Sequence, residues 1–291
     1  MNELVLQAPA KVNLCLSVLG RRSDGYHEVD MVMQAVDLHD TVTVRLAPEG
    51  ITVTCGVAGV PEGEGNIAWR AARAMQERAG GRRGISVSIA KNIPVAAGLG
   101  GGSSDAAAVL VACNRLLGLE LGREQLAAVG ATLGMDVPFF LYGPTARARG
   151  RGEVLERLPP PARFWVLLTN PGFETSTAWA YKNLNFGLTK RVDCTNIPSL
   201  PVGKIAEMLH NDLETVTAAA HPEIGEMERA LLAEGALGAR MSGSGPTVFG
   251  VFDTGDACSR AARALAPTGW RLFPAETLTS PLYEGHLGPL G

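Results

Sequence analysis

The sequence predicts an α+β protein in two domains, and three observations carry that reading. Its 291 residues are enough to bury roughly three quarters of the unfolded surface and to divide into two cores. The stretch 143–163 turns to arginine, glycine and the run Pro159-Pro160-Pro161, which sets a boundary near residue 158 and domains of 1–158 and 159–291. Beyond it the order strand, helices, strand, helix, strand predicts an antiparallel α+β layer rather than a doubly wound parallel sheet.

The elements follow in chain order. Residues 7–19 alternate as a strand, with Val12, Leu14, Leu16 and Val18 on one face and Lys11, Asn13, Cys15 and Ser17 on the other. Ser23-Asp24-Gly25 is a turn signal, with Tyr26 and His27 just beyond it. Residues 41–46 and 51–55 read as two strands joined at Pro48-Glu49-Gly50, the pattern of a hairpin. A helix over 66–79 has Asn66 as its cap and Gly80-Gly81 as its stop. Residues 84–91 alternate as a half-buried strand, and 105–117 form an alanine-rich helix ended by Gly118. Another helix, 122–134, runs into Asp136 and then an apolar, strand-like stretch.

In the second half, 164–169 reads as a buried strand and 176–184 as a helix, while 187–200 has no assignable pattern. Amphipathic helices cover 202–219 and 222–234, and Pro222 suits a first helical turn. A strand over 247–252, a helix over 256–265 capped by Asp256 and a short strand over 270–273 complete the layer. The tail after Ser280 reads as loose.

A net charge of −3 with scattered arginines argues against a nucleic-acid surface built on charge. Five cysteines, far apart and never in a C-x-x-C pair, predict reduced thiols in a cytoplasmic protein. Residues 1–10 lack the basic start and apolar core of a signal peptide, and no apolar run of about 18 residues occurs, so neither export nor a membrane partner is expected. The five histidines form no ligand cluster in sequence, which argues against zinc.

The densest stretch joins the strand at 84–91 to the helix after it. Four glycines in five positions, Gly98, Gly100, Gly101 and Gly102, bare the backbone and permit positive φ. Ser103, Ser104 and Asp105 then open a helix whose free amides attract anions. A polyphosphate suits this geometry, although a plain glycine turn with a serine cap is the competing reading. No Walker A lysine follows, and G-x-G-x-x-G fails at Ser103. Near Ser244 the chain only approaches a G-x-S-x-G elbow. Phosphoryl transfer needs a phosphate cradle, a cation and a carboxylate on the acceptor hydroxyl. Lys11, on a polar strand face, and Asp136, after a helix, offer the last two. Taken singly, Lys11 also reads as a solvated strand lysine, and Tyr26 and His27 as the flank of a turn.

Four ordered segments, A-P-A-K-V-N-L at 8–14, P-V-A-A-G-L-G-G-G-S-S-D-A-A at 94–107, G-M-D-V-P at 134–138 and M-S-G-S-G-P at 241–246, strongly resemble the GHMP kinase superfamily. The resemblance runs from about residue 5 to 275. G-R-R-S-D-G-Y-H-E at 20–28 resembles, within it, the branch whose acceptor alcohol is carried on a cytidyl diphosphate. The resemblance implies a ribosomal S5-like N-terminal domain beside a ferredoxin-like C-terminal one, with the site in the cleft between them. It implies ATP and Mg2+, with Ser103 or Ser104 near the metal. Lys11 and Asp136 match the catalytic pair. Pro94, Val95, Ala96, Ala97, Gly98, Leu99, Gly100, Gly101, Gly102, Ser103 and Ser104 match the ATP loop. Asn13, Tyr26 and His27 match the substrate side, with Tyr181 as a second aromatic wall and Ser242, Gly243 and Gly245 as a glycine turn against the phosphates. Ala96 and Ala97 stand where many relatives carry glycines, and nothing carries over to 185–200 or to the tail after about 278. Rival expectations are a homoserine or mevalonate kinase and a dinucleotide oxidoreductase.

Overall fold

The computed structural model describes residues 2–287 apart from 191 and 195. Two long antiparallel strands, β1 (Glu3–Arg21) and β2 (His27–Ala47), form the spine of the first sheet. The turn between them is closed by the Asp24 carboxylate, which accepts from the Tyr26 amide at 3.1 Å, with Gly25 at φ +86°. The chain continues through β3 (Ile51–Thr54), α1 (Ile67–Arg78), β4 (Gly84–Ala90), α2 (Gly101–Leu116), α3 (Arg123–Leu133), α4 (Val137–Tyr142), β5 (Thr145–Gly150) and β6 (Val154–Arg157). The sheet order is β3-β4-β2-β1, and β2 is long enough to pair with β4 over residues 41–47 and with β5 over 29–34.

The rest of the chain supplies β7 (Trp165–Asn170), α5 (Thr177–Lys182), α6 (Val202–Glu207), β8 (His210–Asn211), α7 (Glu214–Ala220), α8 (Glu223–Ala233), β9 (Gly238–Met241), β10 (Val248–Phe252), α9 (Gly255–Leu265) and β11 (Arg271–Glu276). Strands β11-β7-β10-β9, in that order, make an antiparallel second sheet. The short β8 crosses back to run parallel with β1, pairing Cys15 with His210 and Leu16 with Asn211.

Helix α2 is the buried axis of the first part. Every residue from 104 to 114 is buried, and the small Ala106, Ala107, Ala108 and Ala112 let it pack close to the sheet on one side and α1 on the other. Asn66 caps α1 by accepting from the Ala68 amide at 2.9 Å, as its sequence predicts.

Several expectations are corrected. The pair 41–46 and 51–55 is not a hairpin, because β4 inserts between them, antiparallel to β2 and parallel to β3. Helix α2 starts at Gly101, four residues before the expected Asp105, since Gly100 in the left-handed region at φ +71° serves as its N-cap. The strand-like run after Asp136 is the helix α4, whose residues Val137–Leu141 are all buried; an all-round buried helix has the same apolar pattern as a buried strand. The expected helix over 202–219 is broken by β8, where the Asn211 side chain donates to the Met241 and Gly243 carbonyls at 2.7 and 2.8 Å. Thr254, not Asp256, caps α9. The described part of the tail, 281–287, is packed rather than loose, and 288–291 lie outside the described residues: Leu282, Tyr283 and Leu287 are buried, and just before them the Leu278 amide donates to the Ala35 carbonyl at 2.9 Å.

The thiols differ too. Cys15 and Cys194 form a disulfide with Cα atoms 6.3 Å apart, whereas Cys55, Cys113 and Cys258 are free and buried. A separation of 179 residues left no spacing signal for the pair.

Behind the second sheet, Arg240 meets Glu214 at 2.6 Å and Glu228 at 3.6 Å. Burial and the adjacent Glu214 push the Glu228 carboxyl up to about 8. Between its ordinary range and that value the folded chain holds a proton that the unfolded chain has released, so stability falls as pH rises through this window. Glu228→Gln is expected to flatten that decline; thermal midpoints of both proteins at pH 5 and pH 8 measure it.

Candidate active site

The glycine-rich loop is held directly against β1, where the Lys11 amide donates to the Leu99 carbonyl at 3.0 Å. That contact brings the Lys11 side chain under the loop. Its ammonium donates to Asn13 Oδ1 at 2.6 Å and lies 3.7 Å from Asp136 Oδ2. Lys11 is 4% exposed; burial lowers its pKa, and the Asp136 charge opposes that. Asp136 stands at the N-cap of α4, so a strand and a helix start present the two groups to each other.

The turn after β9 closes the other side of the loop. The Ser242 hydroxyl donates to the Gly98 carbonyl at 3.0 Å, and Gly98 has φ +77°. A Cβ at Gly98 would stand 2.1 Å from the Ser242 carbonyl oxygen, one at Gly100 3.1 Å from Lys11 Cγ, and one at Gly243 3.3 Å from Lys11 Nζ. Two of these bare backbones, Gly100 and Gly243, therefore approach one lysine, and Gly98 packs on the turn after β9. Gly98→Ala is expected to cost about 1–3 kcal/mol in backbone strain alone and to weaken nucleotide binding. Chemical denaturation and ATP titration measure the two effects. Ala96 already occupies the left-handed region at φ 49°, so the departure from glycine there stiffens the loop.

A cleft of about 1340 Å³ opens over these groups, larger than the range of about 300–1,000 Å³ usual for one small ligand. The residues Pro94–Ser103 line it, as do Asn13, Tyr26, His27, Tyr181 and Gly243. Ser104, Ser242 and Gly245 do not. Ser104 is fully buried, in the first turn of α2. Ser242 and Gly245 support the loop from behind: Ser242 Oγ accepts from the Asn13 amide at 3.3 Å, and a Cβ at Gly245 would strike Met241 Sδ at 2.4 Å.

Beside the loop lies a charge cluster whose members are far apart in the chain. Lys91 Nζ pairs with Asp40 and, at 2.9 Å, with Asp105. Asp40 Oδ1 also accepts from the Asn92 and Ile93 amides at 2.6 and 2.8 Å. Burial and the neighbouring Asp40 push Asp105 up to about 7, against the pull of Lys91. The cluster fixes the end of β4 to the first turns of α2, and so fixes the loop between them.

At the far wall the His27 ring stacks on Tyr181 at 5.0 Å and on Phe186 at 5.8 Å. Burial lowers the His27 pKa, as does the nearby Arg21. The Arg151 guanidinium lies 4.8 Å above the Tyr26 ring, which is half exposed. Burial and the Asp136 charge push the Tyr181 hydroxyl up. Phe186 went unseen in the sequence because the segment around it has no period and no motif.

The chain is similar to known proteins over nearly its whole length. Residues 66–144 match the model of the GHMP kinases N terminal domain, and 198–270 that of the GHMP kinases C terminal. The chain is 53% identical over 283 residues to a 4-diphosphocytidyl-2-C-methyl-D-erythritol kinase of Pelobacter propionicus, covering 96% of this chain and all of that one. It is 51% identical to the protein of that name from Geobacter sulfurreducens, with the same coverage. A crystal structure of 4-(cytidine 5'-diphospho)-2C-methyl-D-erythritol kinase superposes with a TM-score of 0.81 at 35% identity, over 94% of this chain and 99% of that one. With a domain model on each half and near full-length identity above one half, the chain belongs to the GHMP kinases, in the family of the 4-diphosphocytidyl-2-C-methyl-D-erythritol kinases.

Proposed function

We propose that the protein is an ATP-dependent kinase that phosphorylates the 2-hydroxyl of 4-diphosphocytidyl-2-C-methyl-D-erythritol, in the non-mevalonate route to isoprenoid precursors. The observation that carries it is the position of the Lys11–Asp136 pair, 3.7 Å apart, in one cleft with the bare loop and the His27 stack. Asp136 takes the proton of the acceptor hydroxyl, and the Lys11 ammonium orients that hydroxyl. The amides of residues 98–103, at the start of α2, hold the ATP phosphates. Tyr26, His27, Tyr181 and Asn13 receive the cytidyl acceptor, the aromatic rings stacking on its base. Ser242, Gly243 and Gly245 shape the turn that backs the phosphates, with Gly243 alone on the cleft wall.

Magnesium bound with a nucleotide needs only one or two protein oxygens beside the phosphates. The Ser103 hydroxyl fits that need, since it is at the cleft wall, and Ser104, facing inward, does not. The ion supplies charge neutralisation for the migrating group.

The division near residue 158 is supported by the strands: β1–β6 precede it in one sheet, and β7 and β9–β11 follow it in the other. We place the protein in the cytoplasm, where its acceptor and ATP meet. Among the described residues no helix is long and apolar enough to cross a membrane. The Cys15–Cys194 disulfide is uncommon for that compartment.

An acceptor panel with ATP and magnesium tests the reading. Turnover is expected with the cytidyl acceptor and not with homoserine or mevalonate. Phosphorylation of homoserine with none of the cytidyl compound overturns it.

A further inference from the structure

The run Asn211-Asp212-Leu213-Glu214, which interrupts the helix expected over 202–219, is bonded to the chain on both sides of the site. On one side β8 lies parallel to β1, the Asp212 amide donates to the Leu16 carbonyl at 3.0 Å, and Asp212 Oδ2 accepts from the Val18 amide at 2.7 Å. On the other, Glu214 Oε2 accepts from the Met241 amide at 2.8 Å. Asn211 stands between the two and is 4% exposed. Its Nδ2 donates to the Met241 and Gly243 carbonyls at 2.7 and 2.8 Å, and its Oδ1 accepts from the Leu213 amide at 3.0 Å. Carbonyls only accept and a backbone amide only donates, so these partners fix which way the side chain faces. An aspartate of the same shape would turn a carboxylate oxygen toward two carbonyl oxygens.

Those two carbonyls open the turn that backs the glycine loop. Within it Ser242 Oγ donates to the Gly98 carbonyl at 3.0 Å. Gly243, at φ +57°, is bare where a Cβ would stand 3.1 Å from the Gly98 carbonyl oxygen and 3.3 Å from Lys11 Nζ. The turn therefore packs on the loop and on the lysine at once. Lys11 is carried by β1, whereas the turn joins β9 to β10 in the second sheet. Asn211 spans from β8, paired with β1, to that turn, so a change in its bonds moves the turn against the loop and the lysine together. Asn211 itself does not line the cleft.

We propose that Asn211 is a positioning residue for phosphoryl transfer: its side-chain amide holds the turn 241–245 at the distance from β1 at which the glycine loop and the Lys11–Asp136 pair serve one reaction. It acts through the turn, from behind the cleft wall. The inference rests on the kinase reading for what the loop and the pair do.

Two variants test it. Asn211→Asp keeps the shape and loses both donors, and Asn211→Leu loses them without adding a charge. Steady-state kinetics, with the competent fraction counted by calorimetric titration of ATP, gives kcat per ATP-binding chain. Both variants are expected to lower it about tenfold to hundredfold, the scale of a catalytic geometry displaced by about 1 Å, and to weaken ATP several-fold, while the KM for the cytidyl acceptor stays within about twofold. Asn114 is the comparison: it is 7% exposed, and its side chain bonds the Leu121 amide and carbonyl at 2.9 and 3.0 Å near the other end of α2. Asn114→Asp is expected to lower the unfolding midpoint and leave kcat per ATP-binding chain unchanged. Thr217→Val removes the turn's 3.3 Å bond from Thr217 Oγ1 to the Ser244 carbonyl and should show the Asn211 pattern at smaller amplitude; it decides the matter if an Asn211 variant does not fold. An unchanged kcat per ATP-binding chain in these turn variants overturns the proposal, as does an effect confined to the acceptor KM, or an equal fall in Asn114→Asp. An unaltered chain with no cytidyl turnover sinks the kinase reading instead, and the ATP titrations of the variants then decide this inference alone.

Discussion

Asp136→Asn is expected to lower kcat by about two to four orders of magnitude, the range for loss of a positioned general base, while ATP binds as before. The substitution keeps the shape of the side chain and removes its charge and basicity. It also leaves the buried Lys11 ammonium without the carboxylate that opposes the effect of burial, so the lysine shifts toward its neutral form. The hydroxyl then loses its acceptor and its orienting cation together. Lys11→Met should fall by a comparable factor, and the double variant by little more, because the two groups act as a unit. Steady-state rates with saturating acceptor, paired with equilibrium titration of ATP, separate chemistry from binding. Near-normal turnover in either single variant would remove the roles given to the pair.

Asp40→Ala should be the most destabilising single change near the site, by about 3 kcal/mol, as expected when one partner of a buried ion pair is removed. Asp40 is fully buried and carries Lys91 and the Asn92 and Ile93 amides. Without it two amides lose their acceptor and Lys91 keeps only Asp105. The loop between β4 and α2 then loses its anchor on β2, so the KM for ATP should rise several-fold while the KM for the cytidyl acceptor stays near its original value. Asp40→Asn, which can still accept from one amide, should fall between the two. Urea unfolding and ATP titration check both effects, and an unchanged midpoint for Asp40→Ala would mean that the cluster does not hold the loop.

What was legible in the sequence was local. The cap at Asn66, the alternation of 84–90 and the four bare glycines each depend on residues a few positions apart, and all survive in the structure. The four family segments located Lys11, Asp136 and the loop, and the fold brings them into one cleft. Pattern failed where two structures share one signature: the buried helix α4 reads like a strand, and two adjacent strands read like a hairpin that β4 divides.

The order of residues is enough to place a bare run of amides ahead of a helix, with a lysine and an aspartate to accompany it. Chain packing adds that Lys91 is shared by two aspartates, one 51 residues away, that Phe186 stacks on His27, and that Ser103 rather than Ser104 lines the cleft. Periodicity, caps and turns are set by neighbours in the chain. Ion-pair partners and ring stacks are set by which distant surfaces the packed core brings together, and no short window of sequence records that.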